Sequence, residues 1–256
     1  EPECTVTPSS AFAVRLVEIG GGEGACAVDA AADPFNARLK APLTGGEFGL
    51  RPFVGLGADL YPDYAAPQKV AVQFLDMGAL QLAAGERLGA AYDADLPVYA
   101  MGQFASATAQ NEICSIPSFE PARLTIPAIP ARPADPGDPD DEEDDDPGAP
   151  AQPAVDITAA WSNMRVLVTA AYPGTQFEAT LTYTVNGCAR TYLATGVFGG
   201  FGVYCAVLDD DGHPTGEVDP ALCDPTITAI NPDFPVVCDE ATALCLLDGP
   251  FGTGAR

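Results

Sequence analysis

Lysine, histidine and tryptophan are nearly missing from this chain. Its 256 residues include only Lys40 and Lys69, one histidine, His213, and one tryptophan, Trp161. A nucleophile needs a base beside it, and His213 lies in the turn sequence Asp209-Asp210-Asp211-Gly212-His213-Pro214. No G-x-S-x-G elbow occurs, so a Ser-His-Asp hydrolase has no place to form. No glycine-rich phosphate loop with its lysine is present either, because Gly20 to Gly24 runs into Ala25-Cys26. There is no CxxC pair, and one histidine is too few to complete a zinc site. No apolar run reaches membrane-spanning length, and no Asn-x-Ser/Thr acceptor occurs. The start at Glu1 reads as a mature chain from which an export signal has been removed.

Acid is what the chain has in excess. A formal net charge of -25 repels phosphate backbones and anionic lipid heads, which excludes nucleic acid and the membrane surface as expected partners. Hydrophobic residues still make up 47% of the chain, so general disorder is not expected. The eight cysteines read as disulfides, which places the protein in an oxidising compartment: secreted, cell-surface or periplasmic. Scarce lysine beside abundant Ala, Gly and Pro suggests a bacterial source.

Prolines recur every third residue at Pro127, Pro130, Pro133, Pro136 and Pro139, and again at Pro147, Pro150 and Pro153. Three residues per turn is the polyproline II period. Between the two sets lies the acid run Asp138 to Asp146, which has nothing apolar to bury. The stretch 127–153 therefore reads as a stiff, solvated linker. Its central 133–153 would reach at most ~65 Å. It divides the chain into a mostly β N-terminal domain, 1–126, and a C-terminal domain, 154–256.

In the first domain, strands are expected at 11–19, 35–43, 47–54, 70–77, 97–107 and 123–126. Leu80, Ala84, Leu88 and Tyr92 fit one helix face, but Gly85 and Gly89 weaken a helix, so 80–92 is assigned to strand or loop. Tyr61, Pro62, Asp63 and Tyr64 form an aromatic turn, expected to cap a core under a long loop. In the second domain, 155–161, 165–170 and 177–185 alternate apolar with polar residues. Asn186-Gly187 then suits a type I′ turn, so 188–195 should return antiparallel. The fold class is all-β: two disulfide-stapled domains, the second a β-sandwich. The hydroxyl row Thr180, Thr182 and Thr184 is an ordinary wet face.

The parity of the cysteines carries a prediction. Cys4, Cys26 and Cys114 precede the linker, and Cys188, Cys205, Cys223, Cys238 and Cys245 follow it. Both counts are odd, so full pairing within one chain sends an odd number of bridges across the linker. The expected pairs are Cys4–Cys26, Cys188–Cys205 and Cys238–Cys245, which leaves Cys114–Cys223 to cross. Asp209 and Asp211 are candidate ligands for weak calcium, although Val207 and Val218 stand where an EF-hand would need carboxylates. No other cofactor is expected. These features describe a secreted or cell-surface structural or binding module without catalytic activity, whose partner is a surface protein, a glycan or a copy of itself. A hydrolase using paired carboxylates and a subunit that polymerises through its strands are the alternatives.

Overall fold

Period-two alternation gives each strand one apolar face, and that face has to be buried against something. In this chain it is buried against itself. The computed structural model describes residues 2–63, 65–89, 92, 98–133, 148–169, 173–198, 204–228 and 230–253, with only the backbone given at 9–11. Nine strands form one antiparallel sheet: β1 (Ser9–Gly21), β2 (Gly45–Phe53), β3 (Lys69–Phe74), β4 (Tyr99–Gln103), β5 (Ile113–Glu120), β6 (Ala122–Ile126), β7 (Val155–Val168), β8 (Pro173–Val185) and β9 (Cys188–Phe198). Their order is β5-β4-β3-β2-β1-β9-β8-β7-β6, and a further pairing of β5 with β7 closes the sheet. β5 and β6 run one after the other along β7, broken near Pro121, so the closed unit is an eight-stranded up-and-down barrel.

A barrel of eight strands is just wide enough for its interior to be filled by side chains. The alternate residues Phe12, Val14 and Leu16 point inward with Phe48, Leu50, Val72, Phe74, Trp161, Phe177, Leu181, Tyr183 and Tyr192. Trp161 meets Phe48 edge-on, with ring centroids 5.3 Å apart, and Phe48 stacks on Phe74 at 4.5 Å. Room for these rings comes from glycine. Gly196 lies directly across from Phe177 in the ladder, and a Cβ there would collide with the ring. Gly102 stands in the same relation to Phe119 and Ile116, and Gly46 to Phe74. Interior glycine weakens a strand in isolation, so the aromatic packing it permits is what offsets the loss.

Two expected elements changed type. Residues 34–39, which overlap the expected strand 35–43, form the short helix α1 (Pro34–Leu39), started by Asp33, which accepts the Asn36 N–H at 3.0 Å. Residues 75–88 form α2 (Leu75–Leu88), with Met77 and Ala84 buried and Leu80 and Leu88 against the core. Helical spacing was present in the sequence. Gly89, at φ 58, is the residue that ends the helix and not evidence against it. α2 touches the adjacent strands β2 and β3 and also β6, which lies beyond β4 in the barrel, so it spans one mouth. Residues 155–161 and 165–170, expected as two strands, are one long strand with an irregularity between Ser162 and Arg165.

The linker does not separate two cores. Its described ends pair antiparallel: Ile129 with Gln152, and Arg132 with Ala149, through backbone bonds of 2.8–2.9 Å. These extend the β6–β7 ladder outward, and the Arg87 guanidinium of α2 ties both sides down by donating to the carbonyls of Pro130 and Pro150. The acid run at 138–146 lies outside the described residues. One apolar cluster draws on residues from Cys4 to Ala194, so 1–126 and 154–256 share a core, and the expected sandwich is replaced by the barrel. The class, mostly β and stapled by disulfides, is as expected.

The C-terminal segment forms a small cap from two hairpins, β10 (Ala206–Leu208) with β11 (Pro214–Val218) and β12 (Val236–Asp239) with β13 (Leu244–Leu247). Its core of Ile230, Phe234 and Leu244 to Leu247 packs on Ala13, Leu167 and Val197, which face outward from the barrel. All eight cysteines are paired, but none as expected. The bridges are Cys4–Cys114, Cys26–Cys188, Cys205–Cys238 and Cys223–Cys245. One bridge crosses the Pro-rich stretch, as parity requires, and it is Cys26–Cys188. The β1–β9 ladder pairs Gly21 with Arg190, and this brings Cys26 to the foot of β9. Cys238 and Cys245 do sit opposite each other in the β12–β13 hairpin, but each bonds a sulfur from outside it.

Candidate binding site on the outer wall

With the interior filled, the outer wall is the surface available to a partner. On β2, β3 and β4 the outward residues form three cross-strand rows: Phe53, Lys69, Gln103; Arg51, Ala71, Met101; and Gly49, Gln73, Tyr99. Gly49 and Ala71 are small, while their neighbours are long. This difference in side-chain length opens a hollow of about 290 Å³, walled by Phe53, Tyr99, Arg51 and Gln73. Phe53 and Tyr99 are exposed. No carboxylate lines the hollow among the described residues; Arg51 is the charged side chain that does, with Lys69 in the next row and Glu120 paired with Met101 at the far end of its own row.

The loop after Phe53 extends this apolar surface. Leu56, Leu60 and Tyr61 are 66%, 77% and 72% exposed, although a bridge between Leu56 and Pro62 and a bond from the Gly57 N–H to the Tyr61 carbonyl make the loop compact. Leu60 holds φ at 66°, an unfavourable backbone angle for a bulky residue. The aromatic turn therefore does not cap a core: Tyr61 points to solvent, and Tyr64 lies outside the described residues. Adjacent exposed apolar side chains of this kind mark interaction surfaces.

Other candidate residues fall elsewhere. Asp209 and Asp211 occupy the β10–β11 turn, where one Asp209 carboxylate oxygen accepts the N–H groups of Asp211 and His213 at 3.0 and 2.8 Å. Its geometry is that of a turn cap. Among the described residues, the ligand-like group whose atoms cluster within 4.8 Å is Cys205, Cys223 and Cys238, whose sulfurs are all in disulfides. Thr182 and Thr191 face each other across the β8–β9 ladder, with their hydroxyls 3.3 Å apart.

One group of acids and phenols stands out electrostatically. Glu47 accepts a hydrogen bond from the Tyr204 hydroxyl. Local desolvation and then this carboxylate push the half-exposed Tyr204 up to about 12. Burial also raises the Asp76 carboxyl and, together with the charge of Asp76, the Tyr183 phenol. Neither Asp76 nor Glu47 lines the outer-wall hollow or either of two other surface clefts, at Cys4–Cys114 and beside the cap.

A family model named MlpA matches residues 54–199. The chain belongs to the MlpA family. The matched region takes in β3 to β9, α2 and the Pro-rich hairpin, and leaves out β1, β2 and the cap. A Myxococcus xanthus protein named "Putative lipoprotein MlpA" is 34% identical over 83 residues, which is 32% of this chain and 31% of that protein. The chain thus aligns with about a third of that relative's length. No solved structure matches. Among the described residues, no helix is long and apolar enough to cross a membrane.

The hollow was not legible in the sequence. Gly49 and Ala71 look like ordinary strand residues until the register places them together on one face.

Proposed function

We propose that this MlpA-family chain is a non-catalytic binding module of the bacterial envelope or cell surface, which engages a protein partner through the outer wall of β2–β4. The observation that carries the reading is the pairing of a filled interior with a formed exterior hollow. Barrels of this size that hold ligands keep their interiors open, whereas here aromatic rings occupy the space. The name of the Myxococcus relative, "Putative lipoprotein MlpA", supports an envelope location, and the disulfides agree with an oxidising compartment. Phe53, Tyr99, Leu60 and Tyr61 supply aromatic and apolar anchors of the type that dominates protein interfaces. Arg51 and Lys69 favour a partner segment that presents an apolar side chain flanked by carboxylates.

The hydrolase reading needs two carboxylates in one cleft, and Asp76 and Glu47 line none of the three described here. The polymer reading needs a free strand edge, and closure of β5 on β7 leaves the short β6, laddered to β7 alone, as the edge of the main sheet. A displayed peptide library, panned on the intact chain and on Arg51→Glu, tests the proposal. Acidic peptides with an aromatic or leucine anchor should enrich on the native chain and lose roughly tenfold in affinity on Arg51→Glu. Equal enrichment on both, or none on either, overturns it.

A further inference from the structure

Three buried side-chain atoms among the described residues have no hydrogen-bond partner: Thr175 Oγ1, Thr228 Oγ1 and Asn231 Nδ2. Buried polar groups are nearly always satisfied, so orphans call for an explanation. The residues that carry them line one cleft of about 310 Å³, where the barrel wall meets the cap, with the orphan atoms themselves set beneath its surface. Thr175 comes from β8, and Thr228 and Asn231 come from the loop between Cys223 and β12. Thr175 and Asn231 are only 9% and 7% exposed. The Asn231 amide has a fixed orientation, because its oxygen accepts the Asp233 N–H at 2.9 Å. Its NH₂ is therefore left as the free donor.

Phe198, Pro225, Ile230 and Pro232 form the rest of the lining. The Phe198 ring is propped from the barrel side by Phe12, at a centroid distance of 5.8 Å. The cleft therefore combines apolar ring surfaces with one fixed amide donor and two hydroxyls that both donate and accept. No charged side chain lines it among the described residues. A cation would find no counter-charge there, and an anion would meet a chain of net charge -25. What fits is a neutral ligand with a C–H face and a rim of hydroxyls. The volume lies at the small end of the ~300–1,000 Å³ range of ligand sites, enough for one ring.

We propose that this cleft binds a single neutral pyranose unit. Phe198 and the two prolines contact its C–H face, and Asn231, Thr175 and Thr228 turn their orphan atoms out to bond its hydroxyls. The site shares no lining residue with the outer-wall hollow, so either proposal can fail without the other.

The test is a two-dimensional NMR titration of the full chain with the methyl glycosides of glucose, galactose, mannose and N-acetylglucosamine. At least one should produce saturable shifts in the Asn231 side-chain NH₂ and in amides beside Phe198. Asn231→Leu should weaken that binding roughly tenfold, the equivalent of one lost hydrogen bond. Thr228→Val keeps the shape of its side chain, so it provides the same comparison if the Asn231 variant does not fold. Tyr99→Ala, on the outer wall, should leave the titration unchanged. No saturable shift with any of the four sugars, or equal binding by the native chain and both cleft variants, overturns the proposal.

Discussion

Replacing Cys26 and Cys188 together by alanine should lower stability through the unfolded chain more than through the folded one. In the fold, the ladder between Gly21 and Arg190 already holds the two segments side by side, so little native structure depends on the bridge. In the unfolded chain the bridge spans a sequence separation of 162. The Cys4–Cys114 bridge provides a shorter path, which reduces the closed loop to roughly 96 residues. Chain-entropy reasoning then gives about 4.7 kcal/mol, against about 3.4 kcal/mol for the shorter Cys223–Cys245 loop. Urea unfolding of the double variant, followed by Trp161 fluorescence, should show that loss together with a larger m-value, because the released chain exposes more surface when it unfolds. A cavity left by the missing sulfurs would lower stability without changing m. A loss below about 1 kcal/mol with m unchanged would refute the argument that the bridge acts on the unfolded state.

Further tests follow from the same structure. A protease site inserted between Asp138 and Asp146 and cut once should leave the two halves joined on a non-reducing gel by Cys26–Cys188. In the Cys26→Ala/Cys188→Ala variant the halves should still co-elute under native conditions, held by the β1–β9, β5–β7 and β6–β7 ladders, and separation there would disprove the shared core. Trp161→Ala, which empties the centre of the barrel, should cost about 3–5 kcal/mol by chemical denaturation. Gly196→Ala should also destabilise, by about 1–3 kcal/mol, because its Cβ overlaps the Phe177 ring. The Tyr204 phenol has a higher pKa folded, at about 12, than its ordinary value of 10.0. Its contribution to stability is therefore complete below pH 10 and lost as pH rises toward 12. Tyr204→Phe should flatten that alkaline decline and remove one late-titrating phenolate from the ultraviolet absorbance, and loss of a phenolate that titrates near 10 instead would contradict the Glu47 contact.

Local chemistry was readable directly. Asn186 and Gly187 adopt φ of 46° and 79°, and Val185 pairs with Cys188, because a type I′ turn requires positive φ at two adjacent residues and this dipeptide tolerates it. Alternation located most strands for the same reason: a half-buried strand must repeat every two residues. The helix α2 is also written in the spacing of Met77, Leu80, Ala84 and Leu88, and a cost of about 1 kcal/mol per interior glycine argues the other way. Tertiary packing decided otherwise, because burying that face against the barrel mouth outweighs the glycines' weak propensity.

Which strands would meet could not be read from the chain. Closure depends on β1 finding β9 and β5 finding β7, pairings between residues far apart in sequence that leave no mark in local pattern. That closure decided the Cys26–Cys188 bridge and the single core in place of two domains. Even the proline-rich stretch followed the same rule. Its composition predicts no buried core there, yet Ile129 is buried in the barrel core, while the acid run lies outside the described residues. Composition could not say whether its ends lie far apart or side by side, and the β6–β7 ladder, by pairing Ile129 with Gln152, set them side by side.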